Sequence, residues 1–199
     1  MAIQSAAAPL VVLDTTTTFI YLLTADPDVA ALPDDVREGI QSGALTRDAT
    51  PGYAPGMAWA EVRPLSPPER DAAVEEAGHV SQLGIMVFAQ VAGAGEGLPD
   101  LEAAKARAKV IDALPTDERR AYDSLVPRLG RLYAALARRG LVRLHLGAFD
   151  EIGLPVEHFD GAAWDTLTSI ADRGIRNAAI SELGRHVERL SVMSAEGKA

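Results

Sequence analysis

Glu182 and His186 stand four residues apart in a helical pattern, the spacing that places two potential metal ligands on one helix face. No third ligand is indicated beside them, and Glu182 with Arg185 and Arg189 reads more simply as a solvated ion-pair face. The other histidines, His79, His145 and His158, are scattered and match no ligand spacing. Asp150, Glu151, Glu157 and Asp160 form an acidic group that could serve Ca²⁺ or acid–base chemistry. They lack the D-x-D-x-D-G pattern with its bidentate glutamate, and turn chemistry around Pro155 accounts for them better. Four consecutive threonines, Thr15 to Thr18, could line a site with hydroxyls, but a strand with one wet face explains them more simply. Gly93-Ala94-Gly95-Glu96-Gly97 could cradle a phosphate only after a strand. Here it follows a helical run with no Lys-Ser or Lys-Thr after it, and so reads as a helix cap and hinge. No G-x-S-x-G occurs, and with no cysteine the chain has neither thiolate catalysis nor zinc–thiolate sites. The residues therefore carry no catalytic signature, and the expectation is no catalytic, cofactor or metal site.

Composition sets the frame for these residues. The chain has 199 residues, is 48% hydrophobic and carries a formal net charge of −9. Phosphate backbones select cationic surfaces, so nucleic acid is excluded as the main partner. Arg119-Arg120 and Arg138-Arg139 lie beside acidic residues and read as solvated helix faces. The longest apolar run, Leu83 to Ala94, is interrupted by Gly84 and Gln90 and is shorter than the ~20 residues a membrane helix needs. The N-terminus lacks the basic start of a secretory signal. A soluble protein of the cell interior is expected.

The elements that would position any site change character along the chain. Residues 9–13 and 17–24 are rich in β-branched and aromatic residues and predict two strands around Asp14-Thr15-Thr16. A short helix is expected over 33–42, with Val36 and Ile40 on one face, then an irregular loop over 46–56. Trp59 to Arg63 predicts a third strand, with Trp59, Glu61 and Arg63 on one face. Ser66 and Glu69 stand in the S-x-x-E relation of a capping box, and Pro67 occupies the first helical position. Ala73, Ala77, Val80, Gly84, Val87 and Val91 then recur at helical spacing as one long amphipathic helix. Ile85, Met86 and Phe88 widen its stripe until it is apolar nearly all round. Helices over 101–114 and 117–139 follow, the second with Pro127 as an expected kink or split and Gly140 as its C′ residue. Residues 141–146 alternate weakly and could be extended. A last helical pair is expected over 161–172 and 174–193, with Ile180, Leu183, Val187 and Leu190 as one narrow seam. Trp59 and Trp164 read as core or interface anchors. The fold expectation is α+β: a small N-terminal antiparallel sheet of about three strands over 1–65, then a larger, bundle-like helical part over 66–199.

Three marks in order resemble a known family. They are Val62-Arg63-Pro64-Leu65-Ser66-Pro67-Pro68-Glu69-Arg70, then Gly147-Ala148-Phe149-Asp150-Glu151-Ile152-Gly153-Leu154-Pro155, and last Leu190-Ser191-Val192-Met193-Ser194. Phe159-Asp160 and Trp164-Asp165 fall between the last two, where the family places its final helical pair. The chain is similar in these pieces to tail assembly chaperones and related tail-morphogenesis proteins of long-tailed bacteriophages. The stretch from Gly78 to Gly140 is longer than that family leads one to expect. The resemblance implies a non-enzymatic factor, without cofactor, that works by protein–protein contact in the host cytoplasm. Its partners would be other tail proteins, such as the tape measure, or further copies of itself. Val80, Val87, Phe88, Val91, Leu183, Val187 and Leu190 are the expected partner-binding residues. A structural virion protein that self-associates, and a bacterial enzyme with an unrecognised site, are the alternatives.

Overall fold

β-Branched and aromatic residues form two adjacent hydrogen-bonded strands that the pattern predicts, β1 (Phe19–Leu22) and β2 (Trp59–Val62). The computed structural model describes residues 15–147 and 157–196, so the strand expected over 9–13 lies outside the described residues. Between the two strands come α1 (Pro27–Ala30), α2 (Asp34–Gln41) and a single 3₁₀ turn at Arg47–Ala49. After β2 the chain builds α3 (Pro67–Ala77), α4 (Gln82–Gly93), α5 (Asp100–Asp112) and α6 (Thr116–Gly140). It closes with β3 (Leu141–His145), β4 (Glu157–Phe159), α7 (Asp160–Ser169) and α8 (Arg173–Glu196). The class is α+β, with a small antiparallel sheet and a helical bulk.

The sheet has the order β1-β2-β3-β4, all neighbours antiparallel. Leu22 lies opposite Trp59 and Trp59 opposite His145, and the β2–β3 register shifts between Glu61 and Val62. Half of the sheet is thus drawn from beyond residue 140. A boundary at 65/66 would cut between paired strands, and the chain divides elsewhere. One compact unit holds the residues up to Ala72 together with those from Tyr133 onward, and the other is Ala73–Leu132. The division falls within α3 and α6, because the pairing of β2 with β3 ties the two ends of the chain into one unit.

Alternation along β1 serves two helical layers of that first unit. Leu22 joins a core of Val29, Val36, Ile40, Met57 and Trp59, with Ile20, Leu32, Leu45 and Tyr53 against it. Tyr21 points the other way, to α8, where its ring stacks on His186. α8 turns Leu183, Val187 and Leu190 inward, all buried, with Ala179 above them. Trp59 is buried as well, with Arg47 and Arg143 over its ring at 5.1 and 5.2 Å and His145 stacked on it.

Several helix ends differ from expectation. The helix expected from Pro67 to Val91 is two helices, since Gly78 adopts φ +85 and the chain restarts at Ser81. The Ser81 hydroxyl accepts from the Gly84 amide at 3.1 Å, capping α4 afresh. α6 runs through Pro127 without splitting. The single backbone bond a proline removes is outweighed there by long helical stretches on both sides and by buried Leu125, Ala135, Leu136 and Ala137. Gly140 is the last residue of α6 and sits where a Cβ would meet Val187 and the Arg63 carbonyl. Close packing and not only helix termination demands a glycine there. At the start of α3 the Glu69 carboxylate reaches back to the Ser66 amide at 2.9 Å, as a capping box requires. The Ser66 hydroxyl donates to the same carboxylate oxygen at 2.7 Å, and Arg63 pairs with both oxygens.

Candidate functional site

Glu182 and His186 are not on a solvated face: they are 2% and 1% exposed. The sequence pattern misreads them because Arg185 and Arg189 on the same helix suggest a wet ion-pair surface. What buries them is the sheet. Thr24, just past β1, donates its amide (3.0 Å) and its hydroxyl (3.0 Å) to Glu182 Oε2. Tyr21 covers the His186 ring at 4.3 Å between centroids with the planes 6° apart. Arg189 Nη2 lies 3.3 Å from His186 Nδ1, and its guanidinium also sits over the Tyr21 ring. His186 Nε2 has no hydrogen-bond partner, and Glu182 Oε1 lies 4.0 Å away.

Electrostatics follow from this enclosure. Burial pushes the Glu182 carboxyl up to about 7 despite the Thr24 donors and Arg185, which favour its charge. Burial, with Arg189 and Arg185 adding to it, holds His186 down at about 3. The Tyr21 hydroxyl is raised by burial, against the opposing charge and hydrogen bond of Arg189. The two residues act oppositely on stability. The folded state holds the Glu182 proton more tightly than the unfolded chain does. Its contribution is complete below about 4.5 and is lost as pH rises to about 7. His186 contributes fully above 6.5, and that part is lost as pH falls towards 3. Between 4.5 and 6.5 the two slopes cancel. Glu182→Gln removes only the first, so its stability relative to wild type is expected to improve by up to about 3 kcal/mol from pH 4.5 to pH 8. Urea unfolding at pH 4.5, 6 and 8 measures this; a constant difference across the three would refute the burial assignment.

At 4.0 Å the two groups do not hydrogen-bond to each other, and both are enclosed by the chain. Among the described residues no group of three or more His, Cys, Asp or Glu side chains is placed to hold a metal ion. Asp150 and Glu151 lie outside the described residues, as do the side chains of Glu157 and Asp160. His79 is exposed, and His145 is buried against Trp59. Glu61 binds Arg143 at 2.7 Å and accepts from Thr18, so one threonine of the run serves a strand edge. Gly93 ends α4 and Gly97 turns with φ +74, so the glycine run terminates a helix.

The expected partner-binding residues divide in two. Leu183, Val187 and Leu190 are enclosed by the chain itself in the first unit. Val80, Val87, Phe88 and Val91 belong to the second, where Val87 and Val91 are buried, Val80 is half-buried and Phe88 is exposed. The open apolar surface of α4 is formed by Leu83, Ile85, Met86 and Phe88, with Met86 63% exposed. No residue of α4 carries a charge. Phe88 stacks on Tyr122, and Gly84 brings the helix close to the Ala121 carbonyl, so α4 is firmly seated on α6 while its outer face is bare.

Two of the three sequence marks meet in space. The Leu65 amide donates to the buried Ser191 hydroxyl at 2.8 Å, and that hydroxyl donates to the Val187 carbonyl at 2.6 Å. They act as scaffold, joining the strand-to-helix junction to the end of α8. Of the middle mark only Gly147 is among the described residues. No described helix is long and apolar enough to cross a membrane. Set against protein-family models, curated proteins and solved structures, the chain matches none of them.

Proposed function

We propose that this protein is a non-enzymatic assembly factor of long-tailed phage tails, a chaperone that covers another tail protein through α4. The observation that carries the reading is the bare, uncharged outer face of that helix, with Leu83, Ile85, Met86 and Phe88 in the open. Contiguous exposed apolar surface is costly in water and marks a place where a partner binds. An amphipathic segment laid along such a face is the common mode. The ordered sequence marks supply the class of partner, and the tape measure protein is the first to test.

Co-expression with the neighbouring tail proteins followed by pull-down tests the proposal. Met86→Asp with Ile85→Asp is expected to leave the melting curve almost unchanged, because both side chains are more than half exposed. It is expected to weaken the complex at least tenfold, the equivalent of about 1.4 kcal/mol. Failure of the wild-type protein to bind any tail protein rejects the function. Mass analysis of purified particles decides the role within assembly: a chaperone is absent from the finished virion, while a structural protein remains in it.

A further inference from the structure

The buried cluster of the first unit has a donor–acceptor arithmetic that links its interior to its surface. Arg189 can only donate, so the Nδ1 atom it approaches must accept, and the proton of the neutral imidazole sits on Nε2. That Nε2–H points into the core with no partner, towards Glu182 Oε1 at 4.0 Å. Glu182 Oε2 accepts both Thr24 donors at 3.0 Å, whereas Oε1 receives only a longer 3.3 Å branch from the Thr24 amide, so Oε1 is the favoured place for a proton arriving on the carboxyl. An Oε1–H needs an acceptor, and His186 Nε2 is the nearest basic atom. Nε2 can accept only if the imidazole carries its proton on Nδ1 instead, and Nδ1–H cannot face the Arg189 guanidinium.

We propose that Glu182, His186 and Arg189 form a proton-linked relay, in which protonation of Glu182 switches the His186 tautomer and removes the imidazole acceptor from Arg189. One proton is taken up in total. As it enters at Nδ1 the Nε2 proton passes to Glu182 Oε1 in the same step, so the imidazole is neutral before and after. Burial and the two arginines disfavour an imidazolium, so the ring transmits the proton without retaining it.

The seat of Arg189 is specific. Its guanidinium lies over Tyr21 and fills the space where Gly43, at φ +66 in the turn after α2, lacks a side chain; a Cβ there would fall 1.4 Å from Nη2. Loss of the Nδ1 acceptor therefore leaves the guanidinium held by Tyr21 alone and loosens its packing against a surface turn. The groups facing the relay are Tyr21 and Thr24 from the β1 side and Arg185 from α8 itself. Tyr133 of α6 packs at Gly184, with Glu188 and Arg185 acting on its hydroxyl. This inference does not depend on the assembly role.

Nitrogen NMR of His186 in the full-length chain tests it, because protonated and bare ring nitrogens resonate far apart. The expected result is Nε2–H at pH 8.5, with the two nitrogen shifts exchanging as pH falls through about 7. The Gly43 amide should move with the same midpoint. Glu182→Gln presents a permanent donor to Nε2 and should hold the Nδ1–H form at every pH. A tautomer that does not change between pH 5.5 and 9, or a ring that gains a second proton in that range, overturns the relay. If Glu182→Gln does not fold, the wild-type Glu182 carboxyl ¹³C titration decides: one midpoint shared with His186 supports the relay, and separate midpoints overturn it.

Discussion

Asp26→Ala is expected to cost about 2–4 kcal/mol, a large share of the 5–15 kcal/mol that holds a typical domain together. Asp26 is fully buried. Its Oδ1 accepts from the Asp28 amide at 2.8 Å as the N-cap of α1, and its Oδ2 accepts from the buried Ala58 amide at 2.7 Å. The carboxylate thus fixes the turn leaving β1 to the residue that leads into β2. The Leu23 amide adds a bond to the Ala58 carbonyl at 3.0 Å. Alanine loses the cap, worth about 1 kcal/mol. It also strands the Ala58 N–H in the core, which costs roughly 1–3 kcal/mol more. Asparagine can keep only one of the two bonds, because its NH₂ would face an N–H. Asp26→Asn should therefore fall between wild type and alanine. Urea unfolding at neutral pH gives the ranking, and an alanine variant within 1 kcal/mol of wild type would show that water replaces the carboxylate.

Gly184→Ala is expected to destabilise by about 2–4 kcal/mol, against the helix-propensity gain of about 1 kcal/mol that the same change normally brings. A Cβ at 184 would lie 2.5 Å from the Tyr133 carbonyl oxygen and Cβ and 2.6 Å from its Cα. Backbone cannot rotate aside, so α8 must shift as a body. That shift would disturb the Thr24–Glu182 and Leu65–Ser191 hydrogen bonds together with the packing of Leu183 and Val187. Gly130 in α6 is the matched control, since a Cβ there meets nothing within 4 Å. Gly130→Ala should stabilise by about 0.5–1 kcal/mol. Opposite signs for the two glycines in thermal and urea unfolding would confirm the close approach of α6 and α8; equal signs would remove it.

The contrast between these glycines shows where local reading stops. Both sit in helical pattern, and no property of either residue's neighbours in sequence distinguishes them. The same holds for Glu182 and His186. Their spacing was visible, but the arginines at 185 and 189 made a solvated face the simpler reading. The donor that reverses it, Thr24, is 158 positions away. The exposed face of α4 was partly legible through Ile85, Met86 and Phe88, whereas the seam of Leu183, Val187 and Leu190 could not be told from a docking surface. An apolar stripe records that it will be covered, not by what.

The sequence by itself determined what depends on interactions a few residues apart. The 3.6-residue periodicity marked α2, α6 and α8, the Ser66–Glu69 pair marked the start of α3, a β-branched and aromatic run marked β1, and period-2 alternation marked β2. Tertiary structure alone decided that β3 and β4 complete the sheet, that the chain divides at Ala72 and Tyr133, and that a carboxyl and an imidazole lie in the core. The reason is the range of the forces. Capping bonds and periodicity act within one or two turns, while strand pairing, burial and the pKa shifts that burial imposes depend on which distant segments pack together.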